Sequence, residues 1–302
     1  MINYVKRQDL NVAKYDECIE NSIQSNIYGF SWYLDIVADN WAVLVLDDYQ
    51  AVMPIPIRKK YGIKYVYPPF WLLELGIFSL DDCIDFKLFF DFLFKKFKAV
   101  ETRLNTDNEV KEKAGFLIDK QMQMVSIKEN YETVFEGYRK DRKKDLRKAE
   151  KANLVEKWNE SPANLIQLFK DNVGKRTPYI TNKDYLVLEE LIKTCIKKGV
   201  GEMLSIYNKE NALVASGFFL KHQHKVTILV SSTDFKHRKN GENTFLIDRA
   251  IFKYQQKFDL FHFGGSSMDS IAKFFLSFGA ETFNYQQIKF NKLPWFIKIF
   301  KG

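Results

Sequence analysis

The stretch from Glu202 to Phe290 constrains the fold most, because its apolar pattern changes period in a fixed order. Three strand-like runs come first, Met203 to Tyr207, Leu213 to Leu220 and Val226 to Ser231. The polar segments Asn208-Lys209-Glu210-Asn211 and His222-Gln223-His224 separate them, which predicts a meander of hairpins. A turn, Arg238-Lys239-Asn240-Gly241-Glu242-Asn243, leads into a helical run from Thr244 to about Lys257. A strand (Phe258 to Phe263), a short helix (Ser270 to Phe278) and a last strand (Phe283 to Phe290) complete the order. A basic, glycine-bearing turn between a strand and a helix N-terminus is how backbone N–H groups are aimed at a phosphate. Arg238, Lys239, Gly241, Asn243 and Thr244 are therefore the candidate anion-binding residues, with an ordinary solvated turn as the alternative.

The first half repeats this grammar. A short strand (Tyr4 to Lys6) precedes helical runs around Tyr15 to Ile23 and Trp32 to Ala38. A hairpin turns at Asp47-Asp48, and a strand (Lys64 to Tyr67), a Phe-rich helix (Cys83 to Phe97) and a strand (Val100 to Leu104) follow. A charged helical turn ending at Ala114-Gly115-Phe116 then leads to the strand Met122 to Ile127. The recurrence predicts duplicated domains. They span 1–138 and 139–290, the second opened by a basic linker helix over 139–152, with a tail over 291–302. In place of an open turn the first half carries Pro68-Pro69-Phe70-Trp71-Leu72-Leu73-Glu74-Leu75-Gly76, which points to a substrate groove instead of a pyrophosphate seat.

A chain of 302 residues, 46% of them hydrophobic, buries a sizeable core, and its net charge of +8 favours anionic partners. Cys18, Cys83 and Cys195 are odd in number and share no C-x-x-C spacing, which implies a reducing compartment and no metal site. His222 and His224 sit at a hairpin tip with no third ligand type nearby. The N-terminus carries no apolar signal segment and no apolar run is long enough to span a bilayer, so a cytoplasmic protein is expected. The tail Leu293-Pro294-Trp295-Phe296-Ile297-Lys298-Ile299-Phe300-Lys301 either packs on the first domain or rests peripherally on the inner membrane face.

Arg142-Lys143-Lys144-Asp145-Leu146-Arg147-Lys148-Ala149-Glu150-Lys151, Phe263-Gly264-Gly265-Ser266, and Ile271-Ala272-Lys273-Phe274-Phe275 with Phe278-Gly279-Ala280 resemble the FemAB-like branch of the GNAT acyltransferase superfamily. The resemblance covers nearly the whole chain. It implies an α/β fold of two tandem GNAT-like domains, each a mixed, mostly antiparallel sheet flanked by helices. It also implies transfer of an acyl or aminoacyl group to an amine acceptor, from acyl-CoA or aminoacyl-tRNA, with no metal. FemAB proteins transfer amino acids from aminoacyl-tRNA to peptidoglycan precursors, so an anionic cell-envelope precursor is the acceptor this implies. Two alternatives stay open: a CoA-dependent N-acyltransferase of a small metabolite, and a catalytically degenerate pair that binds a ligand. The GNAT phosphate pattern falls on Arg238, Gly241 and Asn243, with Asn in place of the last small residue, and the family's frequent tyrosine acid falls on Phe275.

Amide formation needs a neutral amine, donors for the developing oxyanion and a route for protons. In the GNAT fold two strands diverge and expose N–H groups, here near Ser231 and Ser232. Ser232, Asp234 and Ser266 are the catalytic candidates, against the alternative that Ser-Ser-Thr-Asp is a strand end with an Asx turn. Lys59, Lys60, Lys175 and Arg176 are candidate substrate ligands at a cleft between the domains. Leu146, Ala149 and Ala152 share one side of the basic helix. The alternatives for that helix are an exposed helix packed by the stripe and a contact for tRNA backbone.

Overall fold

The computed structural model describes residues 1–108, 110, 115–236, 238–265 and 268–294. The chain forms two compact units: residues 1–120 with 284–302, and residues 121–283. The expected boundary at 138/139 thus lies inside the second unit. Both are mixed α/β units with mostly antiparallel strands.

The first unit contains β1 (Ile2–Lys6), α1 (Val12–Asn21), α2 (Ser31–Val37), β2 (Trp41–Leu46), β3 (Ala51–Lys60), β4 (Ile63–Val66), β5 (Phe78–Ser79), α3 (Phe86–Lys96) and β6 (Ala99–Arg103). β7 (Leu117–Ser126) then carries the chain into the second unit. The second unit continues with α4 (Tyr131–Glu136), α5 (Lys140–Lys151), β8 (Val155–Trp158), α6 (Pro162–Asp171) and α7 (Asn182–Lys197). It then runs through β9 (Gly201–Tyr207), β10 (Leu213–His222), β11 (Lys225–Thr233), α8 (Glu242–Tyr254), β12 (Leu260–His262) and α9 (Asp269–Leu276). β13 (Glu281–Asn291) returns the chain to the first unit.

The two units have similar strand orders. The first unit reads β1-β2-β3-β4-β6-β13 with β5 on β3, and the second reads β7-β12-β11-β10-β9-β8. Each has one parallel pair, β4 with β6 and β11 with β12. The last strands do not stay with their own halves, because β13 pairs with β6 and β7 with β12. A linear reading of the sequence could not see this exchange. The sequence also misses α4 and the two-residue β5, which are too short for a periodic signal. The expected charged turn before Phe116 lies largely outside the described residues, as does the tail beyond Pro294. Among the described residues no helix is long and apolar enough to cross a membrane.

Local chemistry explains the helices that frame the second sheet. α6 starts at Ser161, whose hydroxyl accepts from the Ala163 N–H, with Pro162 in the first turn. A capping box between Thr181 and Asp184 starts α7. α8 lays Leu246, Ile247, Ala250, Ile251 and Tyr254 into a core shared with Phe219, Ile228 and Phe261. At its far end the Glu202 carboxylate accepts from Lys221, Lys253 and the Tyr254 hydroxyl. Burial alone would raise that carboxyl, but these partners hold it down to about 2. α5 packs as its small stripe predicts: Ala149 is fully buried, and Leu146 and Ala152 lie against the same core.

Candidate active site at the divergence of two parallel strands

β11 and β12 are in register over only three pairs, Lys225 with Leu260, Val226 with Phe261 and Thr227 with His262. β11 then runs on to Thr233, while β12 stops. Two features drive the separation. β12 ends in Phe263-Gly264-Gly265, and both glycines adopt left-handed backbone, with φ of 82° and 68°. On the other side β11 carries a bulge: Phe219 faces Ile228 and Phe218 faces Val230, so Leu229 is the extra residue. Bulges bend a strand and re-aim its side chains. Beyond Thr227 the β12-facing edge of β11 has no strand paired to it among the described residues. Its N–H groups are the kind of preorganised donor that can hold a carbonyl oxygen.

The bulge also inverts the faces. Ile228 lies on the side of α8, yet the Ser232 hydroxyl donates to the Leu168 carbonyl of α6, 3.2 Å away on the opposite side. Ser232 is buried and serves to tie α6 to the sheet, which corrects the expectation of a reactive hydroxyl. Ser231 takes its place on the α8 side. It stands opposite Gly217, and a Cβ on Gly217 would sit 3.4 Å from Leu246 of α8. Simple alternation cannot find Ser231, because a bulge leaves no residue-type signal.

Asp234 follows the last residue of β11. Its N–H donates to the Val214 carbonyl and its carboxylate accepts from the Lys236 N–H at 2.9 Å, which is an Asx turn. Ser266 lies outside the described residues. At the crotch of the split stands His262, 1% exposed, which the sequence reading did not single out. Its Nδ1 accepts from the Gly264 N–H at 3.0 Å, and its Nε2 faces Met122 Sδ at 2.9 Å. Burial, with Lys225 adding to it, drives its pKa down to about 3, so it stays neutral and fixes the strand end instead of taking up protons. Phe275, where the family's tyrosine acid would fall, stacks on Phe263 at 4.9 Å as a core ring.

The start of α8 departs from the expected phosphate cradle. Gly241 is left-handed, as a helix-entry glycine can be, but a Cβ on it would lie 2.4 Å from the Asp145 carbonyl oxygen of α5. Glu242, 1% exposed, turns its carboxylate back to accept from the Asn240 N–H. Thr244 is buried and its hydroxyl accepts from Arg142 Nη1 at 2.6 Å. Arg142 in turn pairs with Asp145 at 2.9 Å and lies 4.7 Å from the centre of the Phe274 ring. The positive end of the α8 dipole is thus met by an internal carboxylate and covered by α5. A pyrophosphate would have to displace both. Gly241 and Thr244 therefore form a packed helix junction here, with half-buried Asn243 between them, and a diphosphate has no open space against Gly241 and Thr244.

Arg238 and Lys239 project from the same turn but remain exposed. Arg238 joins Arg176, also exposed, at the ring of Phe235. Lys175 neighbours them in the turn between α6 and α7. Lys59 and Lys60 lie in the first unit at the end of β3, next to the Tyr61-Gly62 hairpin turn.

No protein-family model and no curated protein sequence matches the chain. Solved structures do match in fold. FemX is 11% identical with a TM-score of 0.65, covering 95% of this chain and 97% of its own. L-PGS from Bacillus licheniformis is 11% identical with a TM-score of 0.58, covering 95% and 94%. A tandem GNAT protein from the clavulanic acid biosynthesis pathway is 7% identical with a TM-score of 0.52, covering 96% and 98%. At such identities the likeness is one of fold, and the chain is similar over nearly its full length to FemX, L-PGS and a tandem GNAT protein, the FemAB-like architecture that its sequence resembles.

Proposed function

We propose that the protein transfers an acyl or aminoacyl group to an amine, with the acyl carbonyl held between β11 and β12. The observation that carries this reading is the three-residue parallel pairing followed by divergence, with the Leu229 bulge at its mouth. The amine attacks the carbonyl carbon, the bond from that carbon to the carrier breaks, and the amine's proton leaves through a neighbouring base. In this reading those N–H groups of the Ile228 to Ser231 stretch that point away from β10, together with the Ser231 hydroxyl, stabilise the oxyanion. Asp234, just beyond the end of β11, is the carboxylate assigned to take the proton.

The closed start of α8 favours a donor that does not need a diphosphate there. An aminoacyl group borne on RNA meets that condition better than acyl-CoA. α5 offers the complementary surface: Lys140, Lys144, Arg147 and Lys151 are all exposed and recur at helical spacing on one face. Contacts of such residues to RNA phosphates make affinity fall steeply with salt. Replacing Lys144, Arg147 and Lys151 together with Glu is expected to weaken charged-tRNA binding more than tenfold and to flatten its salt dependence. Arg142 is unsuited to this test, because it supports the α5–α8 junction. Mass spectrometry of reactions with charged tRNA or acyl-CoA and a set of amine acceptors tests the reading directly. A new amide with either donor supports transfer, and none with any pairing argues for a ligand-binding protein.

A further inference from the structure

We propose that the open edge of β8 and the last turns of α8 form a docking groove for an extended, acidic peptide segment of a partner protein. β8 is the outermost strand of the second unit's sheet, with β9 on one side and no strand on the other among the described residues. Its pairing sets Lys157 opposite Ser205 and Trp158 opposite Leu204, and the Asn159 N–H donates to the Met203 carbonyl at 2.8 Å. Hydrogen bonds alternate along an antiparallel pair, so Val155, Lys157 and Asn159 turn their backbone polar groups toward β9. Those of Glu156 and Trp158 therefore point outward, and they bond nothing else among the described residues. Such an edge accepts an added strand through main-chain bonds, while pockets under alternate side chains choose the sequence.

Glu156 and Trp158 turn their side chains toward α8. The Glu156 carboxylate accepts from Arg249 Nε at 2.9 Å, and the Trp158 ring lies 5.9 Å from that of Tyr254. With Phe252, Lys253 and Lys257 they line a cavity of about 420 Å³ beside the open edge. Lys253 Nζ stands 3.6 Å from the centre of the Trp158 ring and 2.8 Å from the Glu202 carboxylate. Lys257 is exposed and makes no ion pair among the described residues. The turn that carries it is fixed, because the Gln256 N–H donates to the Ile127 carbonyl at 2.8 Å. On the opposite face of β8 stand Val155, 52% exposed, and exposed Lys157. A strand laid along β8 thus meets a cation on each face, which selects carboxylates on the incoming chain. A second copy of this chain is a poorer occupant. Two β8 strands paired about a two-fold axis at Glu156 or Lys157 would set like charges directly opposite.

β9 and β10 separate this groove from the strands proposed to hold the donor, so its test reads binding alone. Fluorescein-labelled hexapeptides with glutamate at alternate positions, and valine, leucine or phenylalanine between, are titrated into the full-length protein by fluorescence anisotropy. Saturable binding is expected, weakened at least tenfold in Lys157→Glu/Lys257→Glu. Both lysines are exposed, so the variant keeps the native circular dichroism spectrum. N-methylation of alternate peptide amides is expected to abolish binding in one register and spare it in the other, because only one set faces β8. Hydrogen exchange at the Glu156 and Trp158 amides is expected to slow when peptide binds. No saturable binding across the set, or equal binding of peptides carrying lysine for glutamate, would overturn the proposal. So would binding that leaves those two amides exchanging as before, which would mark a ligand that enters the cavity alone.

Discussion

Gly241→Ala is expected to destabilise the second unit by about 2–5 kcal/mol, from left-handed backbone in a residue with a Cβ and from overpacking against α5. The packing is specific: the new methyl would stand 2.4 Å from the Asp145 carbonyl oxygen, a backbone atom that cannot swing aside. Either the α5–α8 junction opens or α8 loses its first turn. Chemical denaturation gives the magnitude. A variant as stable as the parent would show that α5 does not cover this turn. The outcome bears on function, because a turn that seats a diphosphate must leave that space open. A Gly241 substitution therefore reads out folding before it reads out ligand binding.

The second large effect is expected at Asp248, buried in α8 with 2% exposure. Its carboxylate accepts from the Tyr131 hydroxyl at 2.7 Å, Tyr138 lies close by, and Arg249 reaches one oxygen at 3.9 Å. Burial is the main cause that lifts its pKa from 3.8 to about 6, against the opposing pull of Tyr131 and Arg249. The folded protein thus holds this proton more tightly than the unfolded chain does. Its contribution to stability is complete below about pH 4 and is lost as pH rises to about 6, with a total near 3 kcal/mol at ~1.4 kcal/mol per pKa unit. Asp248→Asn keeps an acceptor for Tyr131 and removes the buried charge. At pH 7.5 the variant is expected to be more stable than the parent by about 1–3 kcal/mol, with a flatter pH profile between 4 and 6. Equal stability at pH 7.5 would place the carboxylate in a better solvated site than its burial indicates.

Most of the architecture was legible because it rests on periodicity. The meander of β9, β10 and β11, the long α8 and the short pair β12 and α9 follow from alternation, helical spacing and turn residues, and their bounds fall within a few residues of those expected. What escaped depends on contacts between distant residues or on a single inserted one. The Leu229 bulge moved Ser231 to the α8 side and Ser232 to the α6 side, and no residue type announces it. Thr244 and Ser232 read as accessible polar groups, yet each is buried on one hydrogen bond, to Arg142 and Leu168. Gly241 has the look of a phosphate-binding glycine and is in fact the point where two helices touch. Arg176 and Arg238 stood as members of separate sites, and only the bond from the Phe235 N–H to buried Asn172 brings them to one ring. The Asx turn at Asp234, by contrast, was among the readings of the sequence and is present.

In the proposed mechanism the carbonyl of the donor enters between β11 and β12 while the start of α8 stays closed. This placement is tested most directly by following backbone amide signals in NMR as a hydrolysis-resistant aminoacyl-adenosine amide is added. Shifts concentrated at Ile228 to Ser231, with the amides of Glu242 to Thr244 unmoved, are the predicted result. Shifts confined to Glu242 to Thr244 would place the donor at the helix start and contradict it.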